Sequence, residues 1–262
     1  MATVMHPIVE DRVIEGEGTS LSTWQRAGIF QQLNVLHVDR FQPHQRVCII
    51  APHPDDEILG CAGLIQQLDA NGCEVVIIAV TNGTASHPHS RLYTAEDLNQ
   101  LRPAETRCAL EKLQLQQQVQ RIGLALPDGQ LFQVQEQFYE QLKHVIQPDD
   151  VLISTFQHDG HPDHEVTGQV VNRLSQQQQL QHLQVLIWAW HWAKPNDPRI
   201  PWHKLMRLDL SDEQLRRKQH AVQCFKSQIE ADHTTGQGPV LSPQALARLL
   251  QPWEVYIDAS HI

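Results

Sequence analysis

The sequence predicts an α/β chain: a single domain on a Rossmann-like, mostly parallel sheet with helices on both faces. Three observations carry that prediction. Apolar, β-branched runs at 47–51, 74–81 and 149–156 read as buried strands. Segments with apolar residues at helical spacing fall between them, the alternation that builds a parallel sheet. No internal repeat or linker divides the 262 residues, a length that suits one large α/β domain.

Residues 1–44 lack clear periodicity. The turn "GEGTS" and a short helix in "WQRAGIFQQL" (24–33) make them an N-terminal extension packed on the core, with the main domain at 45–262. After strand 47–51, Ile58, Cys61, Ala62, Ile65 and Leu68 recur at helical spacing, and Asn71-Gly72 signals the stop. Strand 74–81 leads into a polar loop at 82–94, rich in turn formers. A helix is expected over 95–115 with Pro103 inside or dividing it. "VQRIGL" is a short strand, "PDGQ" (127–130) a turn and 132–146 a helix. Strand 149–156 is followed by the loop "QHDGHPDH" and a helix from about 164. The glutamine-rich stretch 176–184 reads as a solvated helix end. "LQVLIWAWHW" reads as a strand with Trp188, Trp190 and Trp192 on one side, where core packing outweighs sugar stacking. "KLMRLDL" is a further strand. Ser211 caps a helix carrying Leu215, Val222, Phe225 and Ile229 on one stripe, and "QPWEVYIDAS" is a last strand.

Composition narrows the function. Thirty acidic against 20 basic residues give a net charge of −10, with no basic cluster for a nucleic-acid partner. No apolar stretch approaches the roughly 18 residues of a membrane span, and no signal peptide is visible. Five scattered cysteines without a CxxC read as reduced thiols in a cytoplasmic protein.

The chemistry sits in two clusters that follow strands. "APHPDDE" (51–57) puts three adjacent carboxylates, Asp55, Asp56 and Glu57, after a histidine. Asp56 stands three residues after His53, so both side chains can turn toward one point, and a divalent cation there neutralises the local charge. "HDGHPDH" (158–164) adds His158, His161 and His164 with Asp159 and Asp163. Two ligands close in sequence and a third roughly a hundred residues away is the spacing of a catalytic zinc site with an open position. Iron(II) and cobalt suit the same ligands. Alone, "HPDD" also reads as a capped turn and "HPDH" as a solvated loop. Both following strands in one α/β chain, at the carboxyl ends where ligands bind, favours the metal. His87 and His89 read as parts of a solvated loop, and Arg102 with Glu105 as a candidate helix ion pair.

These residues resemble the zinc-dependent N-acetylglucosaminyl deacetylases related to PIG-L, the LmbE-like proteins. "APHPDDE" and "HPDH" carry the resemblance as a pair. "TNG" (81–83), "LRPAETRCALEKL" (101–113), "LPDGQL" (126–131) and "RKQHAVQCFKSQI" (217–229) support it. The resemblance implies that 45–262 is an LmbE-like deacetylase domain. His53, Asp56 and His164 would hold Zn2+, Asp55 would be the general base, and His161 the acid or electrostatic partner at the scissile carbonyl. Arg102 and Asp128 would bind a small-molecule substrate of the amino-sugar type. Asp163 would hydrogen-bond a neighbouring histidine. An amidase on another N-acyl compound shares that mechanism, and a non-catalytic zinc module on the same fold is the contrasting class. Asn82 stands where the family commonly has aspartate.

Overall fold

The computed structural model of the chain describes residues 12–260. The first helix, α1 (Leu21–Ala27), is capped by Ser20 and stopped by Gly28 at φ 62°. It is therefore shorter and earlier than the 24–33 span expected. A two-residue strand, β1 (Asn34–Val35), follows, then β2 (Arg46–Ala51), α2 (Asp56–Ala70) and β3 (Glu74–Ala79). Next come α3 (Ala95–Lys112), β4 (Gln120–Gly123), α4 (Gln135–Val145), β5 (Val151–Thr155) and α5 (Pro162–Gln178). Pro103 lies inside an unbroken α3, which Thr94 and Asp97 start with a reciprocal capping box. The rest is β6 (Gln181–Val185), α6 (Ala189–Trp192), β7 (Leu205–Asp209), α7 (Asp212–Val222), α8 (Lys226–Ile229), α9 (Pro243–Leu249) and β8 (Trp253–Asp258).

The described strands form one sheet in the order β1-β7-β8-β6-β5-β2-β3-β4. All neighbours are parallel except β8, which runs antiparallel to both β6 and β7. The alternation along β2 feeds two cores. Val47 and Ile49 join α2, α3 and α7 on one face, while Cys48 and Ile50 join α4 and α5 on the other. Helices thus cover both faces, as the fold class requires. Chain order runs outward from β2 to β3 and β4, then restarts at β5 on the other side. The β2–β5 boundary is a topological switch point, where the loops leaving two parallel strands diverge and open a crevice.

Three expectations are corrected. The Trp188–Trp192 segment is not a strand: β6 ends at Val185 and the tryptophans lie on the short helix α6. The stripe from Leu215 to Ile229 is not one helix, because α7 ends at Val222 and α8 restarts at Lys226. The cysteines are not all unpaired: Cys108 on α3 bonds Cys224 just past α7, while Cys48, Cys61 and Cys73 are buried thiols. α3 and α7 pack side by side, and sequence spacing carries no trace of that pairing. No described helix is long and apolar enough to cross a membrane.

Candidate active site

β2 and β5 are neighbours in the sheet, so the segments that leave their carboxyl ends meet. His53 comes from the first, and His161 and His164 from the second. His53 Nδ1 lies 3.2 Å from His164 Nε2. Asp56 Oδ2 lies 3.4 Å from the former and 3.3 Å from the latter. Zinc bonds of about 2.0–2.2 Å at tetrahedral angles separate donors by about 3.3–3.6 Å, so this triangle is sized for one ion. Asp56 Oδ2 also accepts the His53 backbone N–H at 3.0 Å, which fixes the carboxylate between the rings.

Other donor sets also surround His53, combining it with His161 and His164 or with Asp128 and Asp163. In the second of these sets the carboxylates are already engaged. His53 Nε2 faces Asp128 Oδ1 at 3.1 Å and Asp163 Oδ2 at 3.5 Å. Asp128 accepts the Ala85 N–H, and Asp163 accepts those of Gly129 and Leu131. Asp163 thereby ties the "LPDGQL" turn to "HPDH" and presents Asp128 to His53. His161 Nδ1 accepts the Asp163 N–H at 3.2 Å. These contacts leave Asp128 and Asp163 to orient His53, as carboxylates do around ligand histidines.

Asp55 sits beside the triangle in a constrained pose. Its φ of 146° is a conformation that favours glycine. Glu57 Oε2 holds it there by accepting its backbone N–H at 3.1 Å, while Glu57 Oε1 accepts Thr106 Oγ1–H at 2.9 Å. Arg102 is buried and divides its guanidinium among Asp55 Oδ2 (3.1 Å), Pro54 O (3.0 Å) and Gly83 O (3.0 Å). A side chain at position 83 would collide with that guanidinium, and φ there is 66°. Gly83 is therefore required by both space and backbone. Arg102 and Glu105 form no ion pair: Glu105 instead accepts the backbone N–H and the hydroxyl of Ser227. Asn82 faces α3 and β4, bonding Asn99 and Arg121.

The charges inside are unbalanced. Burial opposes ionisation of both histidines, yet it is outweighed. Hydrogen bonds to Asp128, Asp163 and Asp56 raise His53 well above its usual range, and Asp56 with Asp159 raises His164 to about 9. Asp56 is held well below the carboxylate range against burial, chiefly by His164. Protons on the imidazoles thus supply the positive charge the carboxylates demand, and a metal ion displaces such protons when it binds. Burial pushes Asp55 up to about 7, with Arg102 pulling it back and Asp56 adding to the rise. His161 is depressed well below its usual range by burial and then by the two neighbouring histidines. A neutral His161 that accepts on Nδ1 carries its proton on Nε2.

Asp159 received no role from the sequence, yet it is fully buried and central. It accepts His164 Nδ1–H at 2.8 Å and the backbone N–H groups of Ile187, Trp188 and Ala189. The placing of two aspartates, Asp159 and Asp163, among the "HDGHPDH" histidines was the available signal, though nothing local shows which ring each one meets. Together these groups line a cleft of about 360 Å³, at the small end of ligand pockets. Its polar lining includes Ser86, Arg102, Asp128 and Gln228. Its apolar lining is Ile14, Leu59, Ile187, Trp188, Val240 and Leu241. His158 does not line the cleft, and its ring meets Phe156.

The histidine–aspartate triangle thus stands at the switch point of a mostly parallel α/β sheet. Residues 48–175 match the model of the PIG-L family, described as GlcNAc-PI de-N-acetylase. Among solved structures, the chain is similar to an N,N'-diacetylchitobiose deacetylase from Pyrococcus horikoshii (17% identity, 79% of this chain and 80% of that one, TM-score 0.53). It is also similar to the A40926 pseudoaglycone deacetylase (18%, 82% and 97%, TM-score 0.60). A zinc-inhibited form of a teicoplanin deacetylase is similar as well (17%, 71% and 85%, TM-score 0.51). At these identities the likeness is one of fold. No curated protein sequence matches the chain significantly.

Proposed function

We propose that the chain is a metal-dependent hydrolase that removes acetyl from an N-acetylated amino sugar or its glycoside. The observation that carries this reading is the ion-sized triangle of His53, Asp56 and His164, open to a cleft in which Asp55 stands alongside. The match of 48–175 to a de-N-acetylase family and the deacetylases among its structural neighbours support the substrate class. In this reading His53, Asp56 and His164 hold Zn2+, with Fe2+ or Co2+ fitting the same nitrogen and oxygen donors.

When bound, the metal polarises the amide carbonyl and lowers the pKa of water. Asp55 takes the proton from the attacking water, and a carboxylate pushed up to about 7 is suited to hold it and then pass it to the departing amine. Arg102 keeps Asp55 aimed and limits its rise. His161 donates Nε2–H toward the oxyanion that develops on the carbonyl, a role open to a neutral ring. Arg102 and Asp128 contact substrate only through their cleft-facing edges, since both are engaged with protein partners. The polar lining residues Ser86 and Gln228 receive sugar hydroxyls. The test is acetate release from a panel of N-acetyl sugars, measured with and without a chelator. The reading requires turnover that the chelator abolishes, and it fails if no N-acetyl sugar turns over while zinc stays bound.

A further inference from the structure

Residues 12–19 lie outside the family match yet are built into the cleft. His191 Nδ1 accepts from Arg248 Nη2 at 2.8 Å, so its Nε2–H donates to Glu15 O at 3.1 Å. Arg248 Nη1 also donates to Glu17 O and Thr19 O at 3.0 and 3.1 Å. Thr19 N–H donates to His191 O at 2.7 Å, and its hydroxyl to Ala193 O at 2.6 Å. Arg12 pairs with Glu165 at 3.0 Å, the residue after His164. Gly18, at φ 65°, lies so close to the His191 ring that a Cβ there would stand 2.6 Å from it. The strap is therefore clamped to the same α6 region that Asp159 holds, and it sets Ile14 into the cleft wall.

The apolar lining residues differ in exposure. Leu59 (1% exposed) and Ile187 (4%) are buried, whereas Val240 is 40% exposed and Ile14 and Trp188 are half-buried. Small apolar groups beside the triangle suffice for an acetyl. The more exposed apolar lining residues are those open to solvent, where an apolar substituent on the amino sugar would gain from them and a polar one would not.

We propose that Ile14, Trp188 and Val240 form an apolar aglycone subsite at the cleft mouth, so that the substrate is an N-acetyl amino sugar bearing an apolar substituent. The subsite rests on the deacetylase reading for the sugar that precedes it. The experiment titrates the zinc-loaded full chain with methyl and octyl N-acetyl-β-glucosaminides by calorimetry, with acetate release followed in parallel. The octyl glycoside is expected to bind about tenfold or more tighter, because several methylenes leave water. Ile14→Ser and Val240→Ser are each expected to cut that octyl-to-methyl ratio about threefold. Val35→Ser, an equally exposed apolar position outside the cleft, should leave the ratio unchanged. Equal binding of the two glycosides, or a ratio indifferent to both cleft variants, overturns the subsite. So does a preference that follows the acyl chain in an N-octanoyl series. Chain-length-sensitive binding without acetate release keeps the subsite and sinks the deacetylase; acetate release without chain preference does the reverse.

Discussion

Two buried charge clusters flank α2, and they are finished to different degrees. Behind the helix, Glu254 accepts from Lys218 Nζ (2.8 Å), Tyr256 O–H (2.9 Å) and the backbone N–H groups of Gly63 (2.7 Å) and Leu64 (2.9 Å). One cation meets one anion, and the carboxylate is saturated by protein donors. At the helix start, Asp55, Asp56, Asp128, Asp159 and Asp163 crowd around Arg102 and two histidines. Carboxylates outnumber cations there even when both histidines keep their protons, so the cluster favours positive charge. The closed cluster holds the fold together, and the open one is where we propose that an ion binds.

Substitutions should separate the two. The largest effect is expected at Asp55→Ala: kcat falls about 10² to 10⁴-fold, the usual worth of a general base, while zinc affinity stays close to wild type. Steady-state kinetics with calorimetric zinc titration checks both halves. Lys218→Met should do the opposite. It leaves Glu254 buried and unpaired, at a cost of about 3–5 kcal/mol in urea unfolding, and it spares metal affinity in whatever fraction stays folded. Asp159→Asn should weaken zinc binding about 10- to 100-fold, because His164 loses the acceptor that orients it. Loss of activity with unchanged zinc affinity would place Asp159 with the fold alone.

The smallest effect is on stability against pH. His164 has its folded pKa raised to about 9, so its contribution is full below the ordinary value of 6.5 and is lost as pH rises through about 9. The metal-free protein should therefore lose stability between pH 6.5 and 9. Zinc should flatten that loss, since ligand nitrogens exchange proton for metal and affinity grows as pH rises. Thermal unfolding with and without zinc across that window is the check, and parallel curves would break the contrast between the clusters.

How much of this was legible follows the same division. The strands, the helices between them and the convergence of 51–57 with 158–164 are local patterns plus one topological rule, and sequence carries both. What it missed was set by distant partners. The tryptophans at 188, 190 and 192 show a period of two, the mark of a strand. Asp159 binds the N–H groups of 187–189 from about thirty positions upstream and turns the segment into a helix instead. Glu105 likewise holds Ser227 and restarts the helix that the Leu215–Ile229 stripe predicted as continuous. The pairing of Asp128 with His53, the grip of Glu57 on Asp55 and the strap that brings Ile14 to the cleft have no local signal at all. The disulfide between Cys108 and Cys224, 116 residues apart, belongs with them.

The central claim is that His53, Asp56 and His164 grip one ion. Calorimetric titration of chelator-treated protein with zinc tests it most directly. The account predicts one tightly bound ion per chain in the wild type, and its loss in both Asp56→Ala and His164→Ala with the fold intact by circular dichroism. Zinc that fails to bind the wild type, or that binds both variants as tightly, would contradict it.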